Sequence, residues 1–174
     1  MSIVILDAME DGNKISDGLK EELQIAGIEY SDFKLKDMNI LHCRSCGACS
    51  VISPGKCVQK DDSHEIMKAI ARCSTFITLT PIRFGGYSST MKKALDKLMS
   101  LCLPFYTVKD GHLLHPARYG TKTMVGIGVY EGTSADQEGC FRKLVENNAL
   151  NLQYEYRTLI LKPSMTMDSI KTEI

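Results

Sequence analysis

The sequence predicts an α/β protein in which a parallel, five-stranded sheet lies between two layers of helices. Apolar, β-branched runs alternate along the chain with segments whose apolar residues have helical spacing. This alternation requires parallel strands joined by crossover helices that cover both faces of the sheet. A chain of 174 residues accommodates five such strands in a single domain, residues 1–174, arranged as a three-layer sandwich.

Five segments are predicted as strands because they are rich in β-branched and aromatic residues. They are 2–6, 28–35, 75–80, 123–130 and 152–162. Four segments with helical periodicity connect them, with serine, aspartate or glycine at their ends. These are 17–26, 62–72, 88–102 and 134–149. Asp62 precedes Glu65 by three residues, which predicts a capping box at the start of the second helix.

Two longer connections complete this organisation. A cysteine-rich loop is expected at about 41–60, and a long loop at about 103–122 contains Asp110-Gly111, a hairpin signal. The order of elements fits a flavodoxin-like sheet of order 2-1-3-4-5. In such sheets ligands bind at the carboxyl ends of the strands, where strand order reverses between the first and third strands. The loops after Leu6, Thr80 and Tyr130 are therefore the expected ligand site.

Charge and hydropathy exclude several classes of protein. Twenty-one basic residues balance 21 acidic ones, so the sequence lacks the excess of basic residues that is typical of proteins that bind nucleic acid or anionic membranes. No apolar run approaches the ~20 residues of a membrane helix, and the first eight residues lack the basic segment of a signal peptide. We therefore expect a cytoplasmic protein that binds neither nucleic acid nor membrane.

Seven cysteines are the unusual feature of the composition. An odd number cannot pair completely, and a reducing compartment favours metal or redox roles over disulfides. Cys73, Cys102 and Cys140 are isolated in the sequence, and we predict that they are buried as small apolar residues.

The other four cysteines lie in one loop and form a candidate metal site: Cys43, Cys46, Cys49 and Cys57. Three thiolates at successive CxxC spacings can each bind one iron of a cubane cluster, and a fourth can complete the site. Zinc is the competitor, although its sites more often use two separated pairs. Unligated thiols or a disulfide are the remaining alternative. The spacing favours a 4Fe–4S cluster.

The loop after the third strand suits a flat ring. It contains Pro81, Ile82, Arg83, Phe84, Gly85 and Gly86. Glycine allows the backbone to approach a ring closely, Phe84 can stack on it, and Arg83 can stabilise negative charge. The simpler alternative is a strand–turn–helix connection in which Pro81 ends the strand and Ser88 or Ser89 caps the helix. Both can hold at once.

These loops together resemble those of the NADPH-dependent FMN reductase-like flavoproteins, especially the iron–sulfur flavoprotein branch. The resemblance is carried by Cys43, Cys46, Cys49, Gly55-Lys56-Cys57, Asp61-Asp62, residues 80–88, Lys92 and Leu95-Asp96. It implies a flavodoxin-like fold with FMN at the strand ends, and frequent homodimers or homotetramers. In the iron–sulfur branch the four matching cysteines hold a 4Fe–4S cluster near a neighbouring subunit's flavin, and relatives without the cluster exist.

The resemblance also implies which residues bind the flavin. The FMN phosphate is expected after the first strand, at Gly12, Asn13, Lys14 and Ser16, beside a helix N-terminus. The ring is expected between residues 81–86 and the loop containing Tyr130, Glu131 and Gly132. The phosphate loop departs from the family pattern, because Glu10 and Asp11 would oppose a dianion if they faced it.

The function implied is an FMN-dependent oxidoreductase that transfers electrons from NAD(P)H or ferredoxin to an acceptor. Flavin chemistry of this kind needs no general acid or base from the protein, so no catalytic residue is predicted. Two alternatives stay open. One is an electron-transfer carrier without a small-molecule substrate, and the other is a non-catalytic homologue with a structural zinc site and no flavin.

Overall fold

The structure is a computed structural model that describes residues 2–165. Within them the strands are β1 (Ile3–Asp7), β2 (Tyr30–Lys34), β3 (Thr75–Pro81), β4 (Thr107–Lys109), β5 (His112–Leu114), β6 (Thr123–Val129) and β7 (Glu155–Leu161). The α-helices are α1 (Lys14–Ile25), α2 (Ala48–Val51), α3 (Ser63–Arg72), α4 (Ser89–Leu95) and α5 (Ala135–Leu152). Short 3-10 helices occupy Leu35–Asp37 and Leu98–Leu101.

Five strands form one parallel sheet in the order β2-β1-β3-β6-β7. The remaining two, β4 and β5, form a separate antiparallel hairpin inside the predicted long loop. Asp110 and Gly111 join them and both have positive φ, so the hairpin signal is confirmed. Numbered without that hairpin, the sheet order is 2-1-3-4-5, which confirms the flavodoxin-like fold.

The two faces of the sheet form two separate apolar cores. Successive side chains of a strand point to opposite faces. Leu6 and Phe76 therefore pack with residues of α3, α4 and α5, whereas Ile5 and Ile77 pack with residues of α1. Helices thus lie on both sides of the sheet.

Two details of the helices differ from the sequence prediction. The capping box is wrong, because the Asp62 carboxylate accepts from the Asn39 amide (2.7 Å), while Asp61 accepts from the Ser63 amide (3.1 Å). The helix expected over 88–102 ends at Leu95, and the chain continues as a 3-10 turn. That turn directs the side chain of Lys97 into the interior. The Ser88 cap is confirmed, since its hydroxyl accepts from the Met91 amide.

The longest described helix, α5, lies unusually close to the sheet. A Cβ atom added to Gly126 of β6 would come within 2.5 Å of Val145 Cγ2, so only glycine permits this approach. The opposite side of α5 faces solvent, and Gly139 there has no neighbour within 4 Å of an added Cβ. Among residues 2–165, no helix is both long and apolar enough to cross a membrane.

We predict opposite effects for alanine at these two glycines. Gly126→Ala should lower the free energy of unfolding by about 1–3 kcal/mol, because the new methyl group overpacks against Val145. Gly139→Ala should raise it by about 0.5–1 kcal/mol, since alanine is the better helix former. Urea denaturation of both variants measures these changes. A neutral Gly126→Ala would contradict the described packing of α5.

Candidate functional site

A cavity of about 460 Å³ lies at the carboxyl ends of β1, β3 and β6. This volume falls in the usual range for sites that bind small molecules. The cavity opens where strand order reverses between β1 and β3, as expected for this fold. Three loops line it, with Ala8, Met9, Glu10 and Asn13 from the first, residues 81–84 from the second, and residues 129–132 from the third. Gln137 of α5 and Pro163 complete the lining.

The structure brings most of the predicted flavin-site residues to this cavity. Those that line it are Asn13, Pro81, Ile82, Arg83, Phe84, Tyr130, Glu131 and Gly132. Those that do not are Gly12, Lys14, Ser16, Gly85 and Gly86. The lining residues that the sequence analysis did not assign to the flavin are Ala8, Met9, Glu10, Val129, Gln137 and Pro163. Gln137 is the one that the sequence could have indicated. It lies in the first turn of a helix that follows a parallel strand, and that turn faces the ligand edge of the sheet.

A tight turn after β3 places two side chains at the mouth of the cavity. The Arg83 amide donates to the Gly86 carbonyl (3.0 Å), and the Gly86 amide donates to the Arg83 carbonyl (2.9 Å). Phe84 and Gly85, the central residues, both have positive φ, as in a type I′ turn. The Phe84 ring is 98% exposed, so the turn presents an aromatic face to whatever enters the cavity.

Gly85 has a structural role in this turn that the sequence did not indicate. Its φ of 75° favours glycine, and a Cβ there would lie 2.8 Å from Cys140 Cβ on α5. The glycine therefore lets the turn rest against α5. Its close approach is to a helix of this chain, whereas the sequence had suggested a close approach to a ring.

Tyr130 forms the wall opposite that turn. Its ring is buried, and the Lys162 ammonium lies 5.3 Å from the ring centroid, which is a cation–π geometry. Lys162 also donates to the Gly132 carbonyl at 2.5 Å, so one side chain ties the ring to its own loop. The aromatic wall is thereby held in a single orientation before any ligand binds.

A buried charge cluster occupies the end of β1, beside the cavity. Asp7 is fully buried, and its Oδ2 accepts from Ser16 Oγ (2.5 Å), Lys34 Nζ (2.8 Å) and Lys20 Nζ (3.1 Å). Its Oδ1 accepts from the Met9 amide (2.9 Å). Parallel register sets the first ion pair, since Asp7 lies opposite Lys34 on β2.

The charges of this cluster satisfy one another. Burial by itself would raise the pKa of Asp7, but hydrogen bonds from Lys34, Ser16, Met9 and Lys20 outweigh it and hold the pKa below its ordinary value. Burial would lower the pKa of Lys20, but hydrogen bonds to Asp32 and Asp7 raise it overall. Lys20 lies 2.5 Å from Asp32, so two carboxylates face two ammonium groups.

The N-terminus of α1 is also satisfied within the chain. The Asn13 side chain accepts from the amides of Ile15 and Ser16, each at 3.1 Å. These are the donors that bind phosphate at the start of a helix when they are open. Of the predicted phosphate donors, Ser16 is buried on Asp7, whereas Gly12 and Lys14 are exposed and flank Asn13 without lining the cavity themselves.

The residues present fit one part of FMN better than the other. A flat ring fits between the Arg83–Gly86 turn and the Tyr130 wall, where aromatic, apolar and cationic groups converge. At the phosphate end the Ile15 and Ser16 amides and the Ser16 hydroxyl are already bonded to Asn13 and Asp7, whereas Lys14 is exposed and forms no ion pair with the described residues.

The cysteine-rich loop is a separate feature. Cys43 and Cys46 are exposed, whereas Cys49 and Cys57 are partly buried. Burial raises the pKa of Cys49, and the neighbouring thiols of Cys57 and Cys43 raise it further. Among the described residues, no group of three or more His, Cys, Asp or Glu side chains is placed to hold a metal ion. In the described residues the four thiols are therefore not gathered into one site.

A buried ion pair anchors one end of this loop. Lys97 Nζ contacts Asp61 Oδ2 (3.1 Å) and Gln59 Oε1 (2.8 Å), and lies 3.7 Å from Cys57 Sγ. The ends of both charged side chains are almost completely inaccessible. Of the three isolated cysteines, Cys73 and Cys102 are buried as predicted. The prediction for Cys140 is wrong, because it lies on an exposed part of α5 beside Gly85.

The sheet order and the position of the cavity, at the point where strand order reverses, define a flavodoxin-like protein with a ligand site. The sequence profile of the family described as NADPH-dependent FMN reductase matches residues 11–138, more than two thirds of the chain. The chain therefore belongs to the NADPH-dependent FMN reductase family, and the resemblance seen in its loops is confirmed.

Two of the curated relatives are iron–sulfur flavoproteins. The chain is 26% identical over 89 residues to an iron–sulfur flavoprotein of Archaeoglobus fulgidus, a match covering 51% of this chain and 40% of that protein. It is 33% identical over 79 residues to an iron–sulfur flavoprotein of Methanocaldococcus jannaschii, covering 45% of this chain and 40% of that protein. These matches thus span about 40% of the curated relatives' length.

Solved structures share the fold over nearly the whole chain. An NAD(P)H:quinone oxidoreductase from Methanothermobacter marburgensis superposes with a TM-score of 0.68 at 16% identity, covering 95% of this chain and 88% of that one. An FMN-dependent NADH-azoreductase from Bacillus anthracis superposes with a TM-score of 0.66 at 12% identity, covering 98% of this chain and 91% of that one. At these identities the likeness concerns the fold.

We predict that Asp7→Asn is destabilising in a pH-dependent way. Removing the buried carboxylate should cost about 3 kcal/mol at pH 7, because two partly buried ammonium groups lose their partner. Since the folded-state pKa of Asp7 is lowered, its contribution is present above pH about 4 and is lost as pH falls through the folded value. The difference in the free energy of unfolding between wild type and Asp7→Asn should therefore become smaller in acid.

Urea denaturation between pH 7 and pH 2 tests this expectation. Glu21→Gln, which changes an exposed acid on the same helix, is the control and should behave like wild type. A difference in the free energy of unfolding between wild type and Asp7→Asn that is small at pH 7, or independent of pH, would contradict the role given to Asp7.

Proposed function

We propose that this chain is a flavin-dependent oxidoreductase that binds the isoalloxazine ring of FMN in the cavity and passes electrons from NAD(P)H to an acceptor. The single observation that supports it most is the convergence of the Arg83–Gly86 turn and the Tyr130 wall at the switch point. Family membership supports the same chemistry. The chain covers only part of its curated relatives, so donor and acceptor are included in the proposal.

The chain's own residues would position the ring and control its surroundings. Arg83 places a cation at the cavity, where it would stabilise negative charge on a reduced ring. Phe84 would cover one edge of the ring and exclude water, because its aromatic face is presented outward at the mouth. Tyr130 supplies a fixed opposite surface. A bound flavin itself supplies the hydride and electron chemistry.

The electron donor follows from the family more than from the cavity. NADPH is the donor that the family description names, and ferredoxin is the alternative donor that we consider. A reductase consumes NAD(P)H in steady state with FMN and a small quinone present, whereas a carrier without a substrate pocket does not. That assay separates the proposed enzyme from the electron carrier.

Assembly into a homodimer or homotetramer is part of the proposal. Large apolar side chains are exposed on the cysteine-rich loop and around the β4–β5 hairpin, namely Val51, Ile52, Phe105, Val108 and Leu113. Exposed apolar surface of this kind is commonly covered by a partner. Sedimentation equilibrium measures the number of chains.

We predict that Arg83→Ala weakens flavin binding. Loss of the guanidinium should raise the Kd for FMN roughly tenfold, because a charge-assisted contact contributes about 1.4 kcal/mol. Quenching of flavin fluorescence measures the Kd. Arg72→Ala is the matched control, since Arg72 ends α3 at the opposite edge of the sheet and should not affect binding. If wild-type protein takes up no flavin, the proposed function is wrong.

The 4Fe–4S cluster, with zinc as its alternative, stays a prediction of the cysteine spacing. We expect protein purified without oxygen to contain iron and sulfide, because successive CxxC spacings suit cubane clusters. Chemical analysis for iron, sulfide and zinc checks this. Cys46→Ser should lose the metal, whereas Cys140→Ser, which changes an exposed cysteine outside the loop, should keep it. Metal-free wild-type protein would refute the prediction.

A further inference from the structure

We propose that a second cavity, between α3 and the cysteine-rich loop, binds a phosphate monoester that carries an apolar body. This cavity has a volume of about 350 Å³ and is lined by α3, by the turn 55–57, by Ser100 and Leu101, and by Tyr119. Among the described residues, none lines both this cavity and the one at the switch point. The inference therefore goes beyond the proposed function and concerns a different ligand.

A hydrogen bond joins the two walls of this second cavity. His64, in the first turn of α3, has its Nε2 2.9 Å from the Cys57 carbonyl. A carbonyl oxygen can only accept, so Nε2 carries a proton and donates it. Lys97 Nζ lies 3.7 Å from Cys57 Sγ and supports the same turn from the interior. The chain thus holds both walls in place without a ligand.

Cations line both walls, and two of them lack a partner. Lys68 and Arg72 line the cavity from successive turns of α3, and Lys56 lines it from the turn 55–57. No aspartate or glutamate is found among the described residues that line it. Within residues 2–165, the side chains of Lys56 and Arg72 form no ion pair. An anion that entered the cavity would therefore meet cations with no carboxylate to displace.

The neighbouring carboxylates are paired with other cations. Glu65 lies 2.8 Å from Lys68, and both side chains are exposed. The hydrogen bond from Lys68 is the main cause of the lowered pKa of Glu65, and the charge of Arg72 contributes less. Asp61 pairs with Lys97 in the interior. The surroundings of the cavity thus keep an excess of positive charge after these pairs are formed.

Arg118 adds a third cation behind the turn. It donates from one terminal nitrogen to the Cys102 carbonyl (3.1 Å), but its Nε is buried and has no partner among the described residues. A Cβ atom added to Gly55 would lie 3.4 Å from this Nε, so the guanidinium rests against the backbone of a lining residue. Charges that are removed from water are usually paired. A partly buried guanidinium that faces no carboxylate points to an anion on the other side of the turn.

The remaining lining of the cavity is apolar. Met67, Ala71 and Leu101 line it between the cations, and the half-exposed Tyr119 adds an aromatic ring. An inorganic anion would leave this surface in contact with water, whereas an apolar body would cover it. A phosphate monoester carries close to two charges and three acceptor oxygens, which suits several separate cations better than a carboxylate does. The cavity therefore fits a phosphate group joined to an apolar body.

The test compares phenyl phosphate, inorganic phosphate and phenol as probes, by calorimetry on the full chain. Phenyl phosphate should bind at least fivefold more tightly than inorganic phosphate, because its ring covers the apolar lining. Phenol, which has no charge at neutral pH, should show no measurable binding. High salt should weaken the binding of phenyl phosphate, since it screens the cations.

Charge variants locate the binding site. Arg72→Gln and Lys56→Gln should each raise the Kd for phenyl phosphate about tenfold, because each removes a charge-assisted contact. Lys109→Gln removes an exposed cation of β4 outside this cavity and is the matched control. Arg83→Ala changes the cavity at the switch point and should also leave this Kd unchanged. All four side chains are exposed, so the variants should fold.

Binding of phenyl phosphate that weakens in Arg72→Gln and Lys56→Gln, and stays the same in Lys109→Gln and Arg83→Ala, supports the inference. Failure to bind phenyl phosphate overturns it, and so does equal weakening in Lys109→Gln, which would indicate attraction to the surface in general. Weakening in Arg83→Ala alone also overturns it, because the probe would then occupy the other cavity. Failure of the chain to bind FMN would refute the proposed oxidoreductase and leave this second site unaffected.

Discussion

The buried carboxylate of Asp7 links three parts of the structure that meet at the ligand edge of the sheet. It ends β1, binds Lys34 across the register to β2, and holds Ser16 and Lys20 of α1. A charge without water must be paired and hydrogen-bonded, so these partners cannot be removed singly without a large loss of stability. The position of α1, and with it the loop between β1 and α1, depends on this cluster.

The two ends of the cavity therefore differ in how their groups are bonded. At the end of β1 the chain satisfies its own donors and charges, through Asp7 and the Asn13 cap. Between β3 and β6 it presents a turn that holds Phe84 outward and a wall in which Lys162 fixes Tyr130. These contacts within the chain hold the surfaces that an aromatic ring would meet.

The cysteine-rich loop shows a similar division between an anchored and an exposed part. Lys97 and Asp61 form a buried pair beside Cys57, whereas Cys43 and Cys46 lie at the surface. Lys97 lies between the end of α4 and the 3-10 turn Leu98–Leu101, in a stretch that sequence periodicity had assigned to a continuous helix. The loop is thus anchored in the core near Cys57 and at the buried side chain of Ala48.

The sequence by itself determined the order of strands and helices, the parallel sheet, the family and most of the cavity loops. These rest on local signals: hydrophobic periodicity, turn residues such as Asp110-Gly111, and short motifs such as residues 80–88. Only the tertiary structure decided which polar groups face the ligand. Asp7 and Lys34 are 27 residues apart and meet through strand register, and Gly85 meets Cys140 through helix packing. Contacts between distant residues leave no periodic trace in the chain, and here those contacts decide which groups at the end of β1 are paired within the chain.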